Sequence, residues 1–132
     1  MTEPEWLEVE DVLLAQRVAI NVFGGLHGIR DRTALESAIA QPRASFGGEL
    51  LHPTVFDQAA AYAFHITRNH PFLDGNKRAG LIAARIFLGL NAWYLAEADP
   101  DLSEAMLAVA SGDLDKAGLS ILLRGLSVPR GQ

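Results

Sequence analysis

The chain has 132 residues, a formal net charge of −5, 49% hydrophobic residues and no cysteine. That length predicts one domain, and the composition predicts a globular protein with an apolar core. The absence of cysteine excludes disulfides, thiolate catalysis and cysteine-ligated metal centres, and the net negative charge disfavours direct nucleic-acid binding, which needs a basic surface.

The N-terminal segment is acidic and shows no signal peptide. Its acidic residues are Glu3, Glu5, Glu8, Glu10 and Asp11. The longest near-apolar run, residues 79–90, is shorter than the roughly 20 residues that a membrane-spanning helix needs. We therefore expect a soluble, cytoplasmic protein without membrane contact.

Two helices are predicted before residue 43. Apolar residues recur at helical spacing over residues 9–23, and a double glycine ends this first helix. A second helix starts near Asp31 or Thr33, since Asp31 is a favourable N-cap, and it ends at Pro42. Residues 43–52 follow as a loop or short hairpin, in which two adjacent glycines allow a tight turn.

The third helix has the clearest boundaries. Pro53 and Thr54 provide its start, and apolar residues at i, i+3 and i+4 spacing give it one buried face. It should end by Asn69, because Pro71 disfavours helical geometry in the residue before it. That residue is His70, which we therefore expect at the junction between a long packed helix and a polar loop.

The C-terminal half adds three helices. The fourth, over residues 76–91, is apolar nearly all round, which predicts a central position in the core. Residues 93–95 are a short extended segment, a fifth helix covers about 101–111, and a sixth covers about 113–124. From about residue 126 to the C-terminus we expect a frayed tail. The whole pattern predicts an all-α helical bundle of about six helices in one domain.

Residues 70–80 hold the largest concentration of reactive side chains. A histidine, a carboxylate, a carboxamide, an ammonium and a guanidinium fall within nine positions, as His70, Asp74, Asn76, Lys77 and Arg78. His70 is the natural general base for a hydroxyl nucleophile. Asp74 is a hard oxygen ligand of the kind that magnesium uses beside substrate phosphates.

The same stretch leads into the buried fourth helix, whose N-terminus offers unpaired N–H groups and a partial positive charge. Gly75 lets a phosphate approach the backbone closely, and Asn76 can donate to a phosphate or cap the helix. Lys77 and Arg78 can neutralise charge on a transferring phosphoryl group. We expect a phosphate-handling active site, for which Arg68 is either a further nucleotide contact or a solvated helix end.

This stretch resembles the motif of the Fic/Doc family, His-Pro-Phe-x-(Asp/Glu)-Gly-Asn-Gly-Arg-x-x-Arg. Residues 70–76 match it, but Lys77 replaces the glycine and Leu81 replaces the last arginine. Both departures point to the Doc (death-on-curing) branch, the toxins of toxin–antitoxin modules. Further Doc-like segments are residues 28–31, 35–38, 46–48, 53–54 and 68–69, together with Pro42.

The resemblance implies a compact helical Fic core with a flap, here about residues 45–52, that holds the target segment in extended form beside the site. Fic enzymes transfer AMP from ATP to protein hydroxyls. In the Doc branch the lysine takes the space of a phosphate, ATP binds in the reverse sense, and the γ-phosphate is transferred instead. The target in this family is a threonine of elongation factor Tu, and its phosphorylation halts translation.

Carried over by position, the resemblance also implies the roles of the site residues. His70 would be the catalytic base and Asp74 the ligand of Mg²⁺. Asn76, Lys77 and Arg78 would contact the phosphates of ATP. The implied activity is that of a protein-serine/threonine kinase acting on a translation factor.

Inhibition is expected to come from another chain. Many Fic proteins carry an inhibitory helix marked (Ser/Thr)-x-x-x-Glu-(Gly/Asn). Here Ser45 and Glu49 have the spacing of this pattern, but Leu50 stands where the pattern requires Gly or Asn. The expected partner is therefore a separate antitoxin of the Phd type. Two alternatives to the kinase stay open, namely nucleotidyl (AMP) transfer to protein hydroxyls and a catalytically silent antitoxin-binding module.

Overall fold

The computed structural model describes residues 3–96 and 99–131. Within them it contains six α-helices, a 3₁₀ turn and two small antiparallel sheets. In chain order these are α1 (Val9–Phe23), α2 (Arg32–Ala40), the 3₁₀ turn (Gln41–Arg43), β1 (Ser45–Phe46), β2 (Glu49–Leu50), α3 (Val55–Asn69), α4 (Asn76–Leu90), β3 (Trp93–Leu95), α5 (Pro100–Ser111), α6 (Lys116–Leu126) and β4 (Ser127–Pro129). The predicted all-α bundle with a flap before the motif helices is confirmed.

Side-chain caps set where the helices begin. The Asp31 carboxylate accepts the Ala34 N–H at 3.0 Å and caps α2, as the sequence predicted. At α3, the Thr54 hydroxyl oxygen accepts the Asp57 N–H, and the Asp57 carboxylate accepts the Thr54 N–H, which makes a reciprocal capping box. The sixth helix begins later than the predicted residue 113, because Asp115 is its N-cap.

The helices α3 and α4 form the centre of the bundle. α3 packs against α2, α4, α5 and α6, and α1 packs against α4. The α3–α4 contact is close because small residues face each other, and a Cβ built on Gly80 would lie 2.9 Å from the Ala63 carbonyl oxygen. Seven of the sixteen buried residues that these two helices contribute are alanines. The motif therefore joins two helices that are held rigidly together.

The hairpin β1–β2 projects from the bundle. Ser45 pairs with Leu50 and Phe46 with Glu49. The two turn glycines have φ of 60° and 83°, which a two-residue hairpin turn of the type I′ class requires. Both strands are exposed along their length. The predicted flap is thus a hairpin whose backbone edges face solvent.

The prediction of a frayed tail was wrong for residues 127–129. This segment forms β4 and pairs with β3, with Trp93 opposite Pro129 and Leu95 opposite Ser127. The buried Ser127 hydroxyl also donates to the Leu123 carbonyl at 2.7 Å. Proline and glycine near a chain end suggest fraying, but β3, more than thirty residues earlier, supplies the backbone partners.

None of the helices in the described part of the chain is long and apolar enough to cross a membrane.

Candidate active site

The motif lies in the loop between α3 and α4, and the backbone leaves α3 abruptly at His70. His70 is the C-cap of α3 in the left-handed conformation, with φ 50° and ψ 54°. Non-glycine residues adopt this conformation rarely, and Pro71 disfavours the helical alternative. Gly75, with φ 75°, is the N-cap of α4, where any side chain would be strained. The loop is therefore bounded by two left-handed residues.

Residues 28–31 pair with this loop and fix its shape. Ile29 and Phe72 form an antiparallel β-bridge, and the Pro71 carbonyl accepts the Arg30 N–H at 2.7 Å. The Phe72 ring is buried in the core. The loop is thus tied to both the core and a second backbone segment.

The Arg30 side chain adds a further restraint at the end of α3. Its Nε donates to the His70 carbonyl at 2.6 Å and its Nη2 donates to the Asn69 carbonyl at 3.1 Å. A cation placed on the last carbonyls of a helix is favourable, because these groups lack helical partners and carry partial negative charge. Arg30 therefore stabilises the backbone conformation that orients the His70 imidazole.

Asn76 links the two ends of the loop. It is buried, its Oδ1 accepts the Phe72 N–H at 3.0 Å, and its Nδ2 donates to the Phe72 carbonyl at 3.1 Å. The same Nδ2 lies 3.3 Å from Nδ1 of His70. The Asn76 carboxamide thus makes its hydrogen bonds within the loop, and its contact with Nδ1 positions the His70 ring.

Asp74 faces the end of α1. Its Oδ2 accepts the Leu26 N–H at 2.7 Å. The buried Gln16 of α1 donates from Nε2 to the main-chain carbonyls of both Asp74 and Leu26, each at 3.2 Å. Among the described residues, no group of three or more His, Cys, Asp or Glu side chains converges as a metal cluster. Asp74 is therefore a single, oriented carboxylate, which suits a metal that takes its other ligands from phosphates and water.

Two cations stand at the N-terminus of α4. Lys77 and Arg78 are exposed, and the Arg78 guanidinium lies 4.1 Å from the centroid of the Phe23 ring. No side chain of residues 3–96 or 99–131 caps this helix end. Unpaired N–H groups, the helix dipole and two cationic side chains thus combine to favour an anion at one place.

These residues open into a cleft of about 450 Å³. Its motif side is lined by six of the predicted site residues, namely His70, Asp74, Gly75, Asn76, Lys77 and Arg78, and its far wall comes from α5 as Ser103, Met106, Leu107 and Ala110. The polar motif and the mainly apolar α5 wall face each other across the cleft. The site can therefore hold a ligand with one anionic end and one apolar face.

A sequence model of the Fic/DOC family matches residues 6–88, which span α1 to α4. The chain belongs to the Fic/Doc family. It is 40% identical to Toxin Doc of Mycolicibacterium smegmatis over 93% of this chain and 94% of that protein. It is 28% identical to Protein kinase doc of Escherichia phage P1 over 89% of this chain and 91% of that protein. The family assignment made from the motif is confirmed.

Arg68 lies outside the Fic/Doc cleft. Its Nη1 donates to the carbonyls of Val109 and Ala110, at 3.2 Å and 3.3 Å. Both carbonyls belong to the last turn of α5, so the guanidinium completes a helix end. Arg68 therefore joins α3 to α5, the helix that forms the far wall of the cleft. Its side chain does not reach the motif.

Several residues around the Fic/Doc motif were not identified from the sequence. In the sequence, Arg30 belongs to a Doc-like segment and has no signal for a contact with His70, and the α5 residues of the wall belong to no motif. Gln16 had one usable signal, because it is a polar residue at a position that the helical stripe of α1 buries. The α5 residues could not be found in this way, since only the packing of α5 against α4 brings them to the cleft.

Proposed function

We propose that this Fic/Doc chain is a Doc-type toxin that transfers the γ-phosphate of ATP to a serine or threonine hydroxyl of a translation factor, elongation factor Tu by family resemblance. The observation that carries the proposal is the convergence of His70, Asp74 and the cationic N-terminus of α4 on one cleft. Lys77 stands where nucleotidyl-transferring relatives have glycine. The similar phage protein, named a protein kinase, supports the same reaction.

In this proposal His70 is the general base. The imidazole takes the proton of the target hydroxyl while the new O–P bond forms, and the bond from the γ-phosphorus to the oxygen of the departing ADP breaks. A free Nε2 requires the neutral ring to carry its proton on Nδ1. The ring must then give up Nδ1 as an acceptor for Asn76, which lies 3.3 Å away.

The residues present fit ATP with Mg²⁺. Asp74 uses one carboxylate oxygen for the Leu26 N–H and has a second oxygen for a metal. The uncapped end of α4 with Lys77 and Arg78 supplies the donors and charge that phosphates need. Magnesium, when bound, would neutralise part of the charge of the phosphates.

The hairpin β1–β2 would receive the target segment. Its strands are short and exposed, so their backbone groups are available to an extended peptide. Exposed apolar side chains on and beside it, at Phe46, Leu50 and Leu51, would add contacts. A separate Phd-type antitoxin would inhibit the toxin. Because the proposed target acts in translation, the toxin would act in the cytoplasm.

Intact-mass spectrometry of elongation factor Tu tests the proposal. The purified chain is incubated with ATP, Mg²⁺ and the factor, and the expected product carries the mass of one phosphate. His70→Ala should abolish the product while circular dichroism shows an unchanged fold, and His27→Ala, which removes an exposed loop histidine, should retain it. An added AMP would identify a nucleotidyltransferase, and an unmodified factor would favour a silent antitoxin-binding module or another target.

A further inference from the structure

A second polar cluster lies outside the cleft, where the hairpin returns to the bundle and meets α3 and α6. It consists of His52, which follows the hairpin, His65 of α3 and Lys116, the first residue of α6. Nζ of Lys116 lies 3.0 Å from Nε2 of His52 and 2.9 Å from Nε2 of His65. One amine therefore contacts two imidazole nitrogens from two other parts of the fold.

Lys116 has no carboxylate within 4 Å among the described residues, and the centroid of the Phe64 ring lies 5.8 Å from its Nζ. Among the described residues, ion pairs join Arg32 to Glu36 and Arg43 to Glu8, and Lys116 takes part in none. Asp57 lines the same pocket, but its Oδ1 accepts the Ser120 hydroxyl at 2.6 Å and its Oδ2 accepts the Thr54 N–H. Lys116 is the first residue of α6, so it lies at the end of that helix where the helix dipole is positive.

Burial is the dominant influence on the proton affinity of this cluster. It lowers the pKa of Lys116. Burial and then the charge of Lys116 lower the pKa of His52, and the same causes in the same order lower the pKa of His65 to about 4. Both imidazoles are therefore neutral near pH 7, and each has an Nε2 lone pair within hydrogen-bond distance of the amine.

Small molecules can reach this amine. A second pocket of about 300 Å³ is lined by Leu51, His52, Pro53, Asp57, Lys116 and Ala117. The Lys116 side chain is only partly buried. An amine that is partly desolvated, contacts neutral bases and opens to a pocket has the features of an activated lysine nucleophile.

We propose that Lys116 is a site of acylation by small acyl thioesters. The neutral Nζ attacks the carbonyl carbon, an N–C bond forms, and the bond from that carbon to sulfur breaks. The proton of Nζ passes to Nε2 of His65 or His52 and then to the departing thiolate, so the products are an amide and a thiol. No oxidant, reductant or metal is needed.

Acylation would change the base of the hairpin. The amide is uncharged and longer, so it can no longer sit between the two imidazoles as the amine does. His52 would then keep only its other restraints, such as the Gln58 Nε2 donor on its carbonyl at 2.9 Å. We expect faster amide hydrogen exchange in residues 44–52 of the acylated protein.

The chain contains its own control, because Lys77 and Lys116 are its two lysines. The full chain is incubated near neutral pH with S-acetyl-N-acetylcysteamine, an uncharged thioester that the phosphate-binding end of α4 should not attract. Peptide mass spectrometry then follows acetylation at each lysine. The expected result is several-fold faster acetylation of Lys116 than of the more exposed Lys77. Equal or slower acetylation of Lys116 would overturn the proposal.

Two variants test the role of the histidines. His65→Gln keeps a hydrogen-bond acceptor for Lys116 but is not basic, so it should slow acetylation of Lys116 several-fold and leave that of Lys77 unchanged. His27→Gln, in an exposed loop, should change neither rate. If His65→Gln folds and Lys116 reacts at the wild-type rate, His65 is not the proton acceptor. The same measurement on His52→Gln then decides whether any imidazole assists, and two unchanged rates would reject the activated-lysine mechanism.

Discussion

The side chain of Arg30 donates a hydrogen bond from Nε to the carbonyl oxygen of His70 at 2.6 Å. His70 has a left-handed backbone, a conformation that costs a non-glycine residue on the order of 1 kcal/mol. The backbone of residues 28–31 pairs with the same loop, so the main chain and the side chain of one segment act together. The histidine of the motif is thus held from outside the motif.

Removing this restraint should impair activity more than stability. In Arg30→Ala we expect phosphoryl transfer to fall by roughly 10- to 100-fold, because the imidazole loses its defined position. The free energy of unfolding should fall by only about 1 kcal/mol, since the lost hydrogen bonds lie at the surface. Initial rates and urea unfolding measure the two effects.

The matched control is Arg32→Ala. Arg32 is two residues away and exposed, and its side chain pairs with Glu36 of the same helix at 3.3 Å. We expect it to leave both the rate and the stability nearly unchanged. Equal losses of activity in the two variants would show that Arg30 has no specific role in positioning His70.

Lys77 should determine which part of ATP is transferred. Its predicted role is to occupy the space of a phosphate, so Lys77→Gly should weaken phosphorylation and increase the share of AMP in the product. Lys77→Met keeps most of the bulk without the charge, and it should lower the rate while phosphate remains the added group. Mass spectrometry of the target measures both the rate of modification and the mass of the added group. An unchanged product in Lys77→Gly would contradict the space-filling explanation.

Gly80 should be necessary for the close contact of α3 and α4. An added Cβ would lie 2.9 Å from both the Ala63 carbonyl oxygen and the Thr67 hydroxyl oxygen. We expect Gly80→Ala to destabilise the fold by about 1–2 kcal/mol, since overpacking outweighs the gain in helix propensity. Gly89→Ala, in the same helix, would meet only the end of the Arg130 side chain at 3.4 Å. It should be neutral or stabilise by up to about 1 kcal/mol in urea unfolding.

Stability should fall in mild acid through His65. Its pKa is lowered from 6.5 to about 4, first by burial, then by Lys116 and His52. Between these values the unfolded state binds more protons than the folded state, so stability is full above pH 6.5 and declines toward about pH 4. The partial exposure of the ring limits the effect to about 1 kcal/mol.

The difference between wild type and His65→Gln isolates this effect. Urea unfolding of both proteins at several pH values should show the wild type losing more stability than the variant as the pH falls. His52, whose pKa is also lowered, contributes with the same sign in both proteins. Parallel stability curves would mean that His65 titrates normally in the folded state.

The C-terminal strand should contribute to stability. Truncation after Leu126 removes β4 and the Ser127 hydrogen bond to Leu123, and we expect a loss of about 1–2 kcal/mol. Truncation after Arg130 removes only two residues, keeps the Arg130 N–H bond to the Ala92 carbonyl, and should have no measurable effect. Thermal unfolding compares the two. Equal stability of both forms would mean that β4 adds nothing.

Helix positions were largely predictable, because their signals are local. The bounds of α1 matched the prediction, and those of α3 and α4 differed by one or two residues. Hydrophobic periodicity, helix-capping residues and helix-breaking residues all act within a few positions of one another. They can therefore be recognised without knowledge of the fold. The late start of α6 was missed because Asp113 and Asp115 are both favourable N-caps, and the sequence does not rank them.

Amino-acid order by itself determined the all-α class, the family and the motif residues of the cleft, since each depends on neighbouring positions of one continuous stretch. Only the tertiary structure decided that Arg30 holds His70, that Arg68 completes α5, and that residues 127–129 form a strand. Each of these pairs a residue with backbone groups more than thirty positions away. Such partners are chosen by the packing of whole helices, which no local pattern records.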